Sequence, residues 1–370
     1  MIKRILIFSI LLLYNSLFYS QENRFVYKEI ADNILDKKVL FVNIEQTLFD
    51  IGTLLTESNS QDPSVNTEII QSAINKYKKV KLPNLEIVLS SKGLNVPSNA
   101  LIFFDTNSVL RIEENVFDRY ELLRVHNVEN VSIYNARLIG DRGAIKMKKG
   151  EWGHGISIRG SKNVIIKGFT IREFYGDGIY VGFEEKGVSD SVTIKDGIVD
   201  YNRRNGISIT SAKNVLIDNV ILSNTYGTNP NFGLDIEPNN VKDEIDKIFL
   251  SNILSYNNNV GGIMITLSKM LRGDVLKETN IEVVNFIDEG SIYEGFIFAK
   301  IIASGQLLGN LNVNNISVSN NFRPIIIGKN EQEKFKIKVS NYNIKNSINK
   351  NFDVKEFRRI NKGKKNIIIE

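Results

Sequence analysis

Asp177, Asp235 and Glu237 have the side chains and the spacing that general acid–base chemistry needs. Asp235 and Glu237 are two positions apart, so in a strand they leave the same face with Cα atoms about 7 Å apart. Carboxyl groups at such a distance can hold a water between them, one giving and the other taking a proton. Structural roles are open as well. Asp177, between two glycines, could bond turn amides, and Glu237, before a proline, could end a strand in solvent.

Side chains that could bind a ligand stand near these acids. His154 could carry a proton or bond the backbone at a corner. Arg203 and Arg204 carry planar guanidinium groups that match carboxylates or sulfates, or they could form charge pairs at a solvated corner. The other candidates for binding are one amide, one further arginine and two aromatic residues: Asn205, Arg159, Tyr180 and Trp152.

A repeated pattern positions all of these residues. One unit has a polar residue, alternating apolar residues and then Asn or Gly, as in Asn130–Asn135, with a degenerate last copy at Asn312. A second unit is a glycine followed by an aliphatic residue, at steps of 23, 28, 27 and 29 residues: Gly155, Gly178, Gly206, Gly233 and Gly262. A period in the twenties with short strands and no helices between them predicts a β-solenoid. The leucine-rich repeat is the alternative at this period, but its signature is absent.

The repeat also predicts which way each side chain faces. Residues directly after the glycines, such as Ile156 and Ile179, should fill the interior, and those one position later, including Tyr180 and Asp235, should face outward. Since coils stack at about 4.8 Å, Asp177 and Asp235 should lie two coils apart on one outer surface. Asn-rich corners, such as Asn224 and Asn257–Asn259, suit the left-handed backbone of tight turns.

The segment from Asn66 to Leu110, with its helix and Val96-Pro97-Ser98-Asn99, resembles the entry of the pectate-lyase/polygalacturonase-type β-helix superfamily. The following coils resemble its generic repeats, to about residue 330. Gly153-His154-Gly155 is similar to the Gly-His-Gly of polygalacturonases, although here it precedes Asp177 rather than following the aspartate motifs. The resemblance implies carbohydrate polymers as ligands and includes hydrolases, lyases, epimerases and phage depolymerases.

The expected fold is all-β, a right-handed parallel β-helix (a single-stranded solenoid) with a short N-terminal capping helix. We predict a signal peptide over 1–20, because a basic start precedes the apolar run Ile5–Leu13. A lead-in over 21–60, the β-helix over 61–345 and a basic cap or tail over 346–370 follow.

Composition limits the partners. The chain has no cysteine, which rules out disulfides, thiolate metal sites and an acylated anchor. A net charge of +5 is mild and favours anionic ligands only weakly. We expect no nucleic-acid partner, no cofactor and no metal, and we interpret the acidic loop Asp243–Asp246 as solvated rather than as a Ca²⁺ site. The protein should be a monomer, secreted or periplasmic, and free of the membrane after signal cleavage.

Three functions fit these observations. The first is an inverting glycoside hydrolase on an acidic polysaccharide, with Asp235 and Asp177 as base and acid, because paired carboxyls about 6.5–9.5 Å apart leave room for the attacking water. The second is a lyase or epimerase, in which Arg203 or Arg204 neutralises a uronate and His154 or Tyr180 is the base. The third is a carbohydrate-binding solenoid without activity, in which the acids are structural.

Overall fold

The computed structural model of the protein describes residues 25–55, 61–143, 150–301 and 303–370. The signal peptide predicted for residues 1–20 lies outside this range. No helix within the described ranges is long and apolar enough to cross a membrane.

The described chain has three short α-helices, of which the second and third stand near the ends of the solenoid and the first lies against its side, where Lys38 donates to the Asn252 carbonyl. The α-helices are α1 (Asp32–Lys38), α2 (Pro63–Tyr77) and α3 (Val354–Asn361), and 3₁₀ turns cover Ile51–Leu54 and Ser268–Leu271. The Asp62 side chain caps α2 by accepting hydrogen bonds from the first-turn amides of Ser64 and Val65. Because α2 buries Ile70 and Ile74 completely, it covers the first end of the core, as the sequence predicted.

Twenty-five strands form the body of the described chain. The first nine are β1 (Phe49–Asp50), β2 (Lys79–Leu82), β3 (Glu86–Leu89), β4 (Leu94–Asn95), β5 (Leu101–Phe104), β6 (Val109–Ile112), β7 (Arg119–His126), β8 (Glu129–Tyr134) and β9 (Arg137–Ile139). The next ten are β10 (Trp152–Arg159), β11 (Lys162–Arg172), β12 (Ile179–Gly182), β13 (Ser189–Asp200), β14 (Ile207–Ile209), β15 (Ala212–Ser223), β16 (Phe232–Ile236), β17 (Ile245–Ser251), β18 (Leu254–Tyr256) and β19 (Gly261–Ile265). The last six are β20 (Leu276–Glu289), β21 (Glu294–Phe298), β22 (Gln306–Ser319), β23 (Ile325–Ile327), β24 (Lys334–Lys345) and β25 (Ile367–Ile369).

These strands form two parallel sheets that wind around one core. The longer sheet has sixteen strands and runs from β1 to β25; the other has nine, in the order β23-β21-β19-β16-β14-β12-β10-β7-β4. Each strand therefore pairs with the equivalent strand of the next coil, which confirms the right-handed parallel β-helix. The outward column is also confirmed, because Tyr180 pairs with Ser208, and Ser208 pairs with Asp235.

The interior is a stack of aliphatic residues. Ile156, Ile179, Ile207, Leu234 and Ile263, which follow the repeated glycines, are all fully buried. Burying a side chain of this size contributes roughly 1.5–3 kcal/mol, so the continuous core stabilises coils that could not fold singly.

Asparagine ladders mark the corners, as the sequence predicted. Asn224 and Asn257 have φ of 54° and 52°, and the Asn257 amide donates to Asn224 Oδ1 at 2.7 Å. Asparagine tolerates this left-handed backbone better than most residues. One alignment needs correction: Asn280 pairs with Asn310, so the last copy of the first repeat begins there and not at Asn312.

Both ends of the described part of the chain pack against the solenoid. The lead-in contributes β1, and its residues 25–42 lie across the asparagine corners. The Lys28 N–H donates to Asn224 Oδ1 and its carbonyl accepts from Asn224 Nδ2, while Asn135 makes the same pair of bonds with Val42. At the other end β25 pairs with β24, and Phe357 of α3 is fully buried.

Replacing Asn224 tests the attachment of the lead-in. Asn224→Ala should lower the free energy of unfolding by about 2–4 kcal/mol, because several buried hydrogen bonds are lost and alanine resists a positive φ. Asn224→Gly should cost about 1 kcal/mol less, since glycine adopts this conformation freely. Urea unfolding measures both. Asn163→Ala is the control: it has φ of 54° but is exposed, and among the described residues its side chain bonds only Asn130. Equal losses in Asn224→Ala and Asn163→Ala would contradict this account.

Candidate active site

Two of the predicted acids lie side by side on the outer face of the nine-stranded sheet. In β16, Leu234 and Ile236 point into the core, so Asp235 points outward. The pairing continues one residue further, since the Glu237 amide donates to the Ile209 carbonyl at 3.1 Å. Asp235 and Glu237 therefore occupy successive outward positions of one extended segment, as the alternation predicted.

Asp235 is shielded from water although it faces outward. It is 2% exposed, its Oδ2 accepts from Asn205 Nδ2 at 3.2 Å, and no group of the described residues bonds its Oδ1. Burial raises the pKa of Asp235 to about 8; the charges of Glu237 and Asp177 act in the same direction, against Arg204. Asp235 is therefore mostly protonated at neutral pH, in the state of a proton donor.

Glu237 is the accessible member of the pair. Its side chain is 24% exposed, and its Oε1 lies 2.8 Å from the ammonium group of Lys269. Lys269 comes from the 3₁₀ turn Ser268–Leu271, which follows β19 in the next coil. The pair thus combines a buried carboxyl group with a carboxylate at the surface.

Arg204 lies between the third acid and the rest of the site. Its Nη1 is 2.9 Å from Asp177 Oδ2, and its Nε is 3.6 Å from Glu151 Oε2. Burial raises the pKa of Asp177, although the Arg204 charge opposes this, and Asp177 has no exposed surface. Burial acts to lower the pKa of Arg204, but the carboxylate of Asp177 raises it overall. Arg204 therefore stays charged and holds Asp177 in place.

His154, Asp177 and Asn205 form a ladder that runs along the sheet. His154 Nδ1 accepts from the Asp177 amide at 3.1 Å, Asp177 Oδ1 from the Asn205 amide at 3.0 Å, and Asn205 Oδ1 from the Phe232 amide at 3.1 Å. Each side chain thus satisfies a backbone donor of the following coil. The backbone role considered for Asp177 and His154 is therefore present.

His154 is a neutral, enclosed ring. It is 1% exposed, and burial lowers the pKa of His154 to about 3. Because Nδ1 accepts a hydrogen bond, the ring proton is on Nε2. The ring stacks on Tyr180 with centroids 5.1 Å apart.

The two remaining arginines are already bound by protein groups. Arg203 lies 4.0 Å above the Tyr175 ring and donates to the Gly150 carbonyl, so the structure does not bring its guanidinium group to the acids as the sequence suggested. Arg159 lies 4.2 Å from the Tyr180 ring centroid and 3.4 Å from Glu121 Oε1.

The predicted aromatic residues differ in exposure. Trp152 is 43% exposed at the start of β10, where an aromatic face is open for stacking on a sugar. Tyr180 is half-buried, and its hydroxyl lies 2.8 Å from Thr210 Oγ1. Asp243, assigned to a solvated loop, is instead 2% exposed and accepts from the amides of Asn239 and Asn240.

Sequence reasoning missed Glu121 and His126, which lie on the same outer face. Glu121 pairs with His154 one coil earlier, and His126 Nε2 lies 2.9 Å from Ser157 Oγ and 3.8 Å from Glu121 Oε2. The repeated glycine would have revealed them, but in this coil Leu122 stands at the position of Gly155.

The solved structures that this chain resembles share its architecture. The iota-carrageenase of family GH82 from A. fortis is 15% identical with a TM-score of 0.58, over 93% of this chain and 94% of that one. The polygalacturonase of Erwinia carotovora is 16% identical with a TM-score of 0.50, over 90% and 99%. This chain has the pectate-lyase/polygalacturonase-type β-helix fold. At these identities the likeness shows the fold alone.

Sequence comparison gives a narrower result. No family model matches the chain. The Bacillus subtilis uncharacterized protein YclG is 32% identical over 160 residues, which are 39% of this chain. The match spans only 27% of the length of YclG.

The raised pKa of Asp235 predicts how stability depends on pH. In the unfolded chain Asp235 ionises near pH 4, whereas in the folded protein its pKa is about 8. Between these values the folded state holds the extra proton, so stability falls as the pH rises. The free energy of unfolding of Asp235→Asn should therefore exceed that of the wild type by roughly 1–3 kcal/mol at pH 8 and equal it near pH 4. Urea unfolding at the two pH values measures both.

Asp218 provides a control of opposite sign. Burial opposes the shift, but hydrogen bonds from Lys195, Ser251 and Asn252 lower the pKa of Asp218. Its stabilising effect is present above the ordinary pKa and is lost as the pH falls through the folded value, so Asp218→Asn should be less stable than the wild type at neutral pH. A stability gain at pH 8 in both variants would disprove the assignment.

Proposed function

We propose that the protein is a glycoside hydrolase acting on a polysaccharide, with Asp235 as general acid and Glu237 as general base. The observation that carries the proposal is the pairing of a carboxyl group of pKa about 8 with an accessible carboxylate two residues away. Environments that push apart the pKa values of two acids allow one to donate a proton while the other accepts one.

The reaction follows from this pair. Asp235 gives its proton to the oxygen of the leaving sugar as the glycosidic C–O bond breaks. Glu237 takes a proton from water, and the remaining hydroxide bonds to the anomeric carbon from the opposite side. Their Cα atoms are about 7 Å apart, and carboxyl groups at a similar separation would leave room for that water, as inversion requires. Asn205 holds the acid through its side-chain amide. Asp177, which the sequence also suggested for this chemistry, is bound by Arg204 and the Asn205 amide and does not transfer a proton.

Access to Asp235 requires movement. Because Asp235 is 2% exposed, the side chains that cover it must shift when a sugar binds, and Lys269 must then release Glu237. Active-site hydrogen bonds commonly reach their catalytic arrangement only with substrate bound.

Two further points bear on the proposal. The structural neighbours named as a carrageenase and a polygalacturonase support a polysaccharide substrate by analogy of fold. A lyase reaction has less support than hydrolysis, because the candidate base His154 is buried and Arg203 is held by Tyr175 and Gly150. An acidic substrate remains a prediction.

A carbohydrate-binding solenoid without activity is the second candidate. The backbone ladder of His154, Asp177 and Asn205, together with the burial of Asp235, favours it, because these side chains already have structural work. Substitution of the acids separates the two candidates.

Activity of acid variants tests the proposal. Against a panel of polysaccharides, Glu237→Gln should lose at least 10³-fold in kcat on every substrate that the wild type cleaves. Asp235→Asn should lose as much on polymers but far less on aryl glycosides, whose leaving groups need no proton. Reducing-end assays measure cleavage, and a product absorbing in the ultraviolet would indicate elimination. Asp190→Asn, in β13 of the other sheet, is the control and should keep full activity. Full activity of Asp235→Asn on polymers would disprove the role.

The pH profile is an independent test. Since Asp235 must be protonated to act, kcat/KM should fall about tenfold per pH unit above pH 8. Glu121→Gln should keep this alkaline limb, because Glu121 lies beside His154 in the preceding coil and four coils before Asp235. A flat profile up to pH 9.5 would exclude Asp235 as the acid.

A further inference from the structure

Charge is divided unevenly along this chain. Residues 334–370 hold eleven lysines and arginines against three acids, a net charge of +8. The other 333 residues hold 36 against 39, a net charge of −3. The modest charge of the whole chain therefore conceals a strongly basic C-terminal cap.

Four of these lysines and arginines line one cavity. A cavity of about 510 Å³ beside α3 is lined by Lys355, Arg358, Arg359 and Lys362, and its lining includes no carboxylate. Arg359 pairs with Glu356, but none of the described carboxylates lies within ion-pair distance of the other three. The cation cluster is therefore largely uncompensated.

Strand β24 carries further positive charge on its outer face. Phe335, Ile337 and Val339 point into the core, so Lys334, Lys336 and Lys338 point outward at intervals of about 7 Å. Lys338 pairs with Glu370, whereas no described acid pairs with Lys334 or Lys336. Repeated charges at this spacing suit a polymer with one anionic group per unit better than a single small anion.

We propose that this basic cap, defined as β24, α3 and β25, binds an acidic polysaccharide. Nucleic acid is disfavoured, because binding a single strand needs exposed rings for stacking, and the rings of Tyr342 and Phe357 pack against each other. A membrane surface is disfavoured, because Phe357, the aromatic residue of α3, is turned into the core.

The site is distinct from the candidate active site. Asp235 lies in β16 of the nine-stranded sheet, and the next strand of the chain, β17, belongs to the longer sheet. Strand β24 of that longer sheet is three coils beyond β17, so it lies about 15 Å further along the axis than the coil of Asp235. Binding at the cap therefore does not depend on the proposed hydrolysis.

A binding experiment with matched variants tests the proposal. Titration calorimetry with dextran sulfate, and with neutral dextran as reference, should show binding of the sulfated polymer alone, weakening with salt. The triple variant Lys355→Gln/Arg358→Gln/Lys362→Gln should bind at least tenfold more weakly, with a shallower salt dependence. The control Lys92→Gln/Lys162→Gln/Lys242→Gln removes the same charge from exposed positions elsewhere and should change affinity less than twofold.

Two results would overturn the proposal. One is an equal loss in both triple variants, which would mean that net charge alone drives binding. The other is tighter binding of a single-stranded oligonucleotide, or of phosphatidylglycerol vesicles, at equal anionic charge. Circular dichroism of each variant confirms that the fold is intact, and no outcome depends on whether the protein cleaves a glycan.

Discussion

The structure depends on one constraint, the in-register pairing of each coil with the next. Every parallel strand obtains its hydrogen bonds from the neighbouring coil, so a residue type recurring at one position becomes a column along the molecule. The same pairing that stacks Ile179, Ile207 and Leu234 inside also aligns Tyr180, Ser208 and Asp235 outside. Core and surface are therefore fixed together, and a shift of one residue would exchange them.

The candidate site lies on this regular surface, and Asp235 departs from its pattern. Most outward positions near Asp235 are uncharged, and the ladder of His154, Asp177 and Asn205 satisfies backbone donors. Into this ordered surface the chain places Asp235, which is buried and has a single hydrogen bond from Asn205, so burial raises its pKa. Ionisation of such a carboxyl group lowers the stability of the fold. Groups with a pKa shifted in this way are concentrated at functional sites.

The repeats allowed much of the fold to be predicted, including the interior column, the asparagine corners and the capping helix, because each depends on local residue type and period. The placement of Asp235 and Glu237 on one outer face followed from the same alternation. The partners of the guanidinium groups could not be predicted in this way. Arg203 and Arg204 are adjacent in sequence, yet Arg203 contacts Tyr175 and Arg204 contacts Asp177. Long side chains choose partners in three dimensions, and Glu121 was missed because its coil lacks the repeated glycine.

The lead-in that crosses the asparagine corners has a consequence for the order of folding. Lys28 is 196 residues from Asn224 in sequence, and Val26 is 231 residues from Asn257. The beginning of the chain therefore cannot take its final place until the coils carrying these asparagines have formed. The repeats of a solenoid could otherwise fold and unfold one by one. Because this late contact joins coils that form at different times, it makes the unfolding of those coils more cooperative.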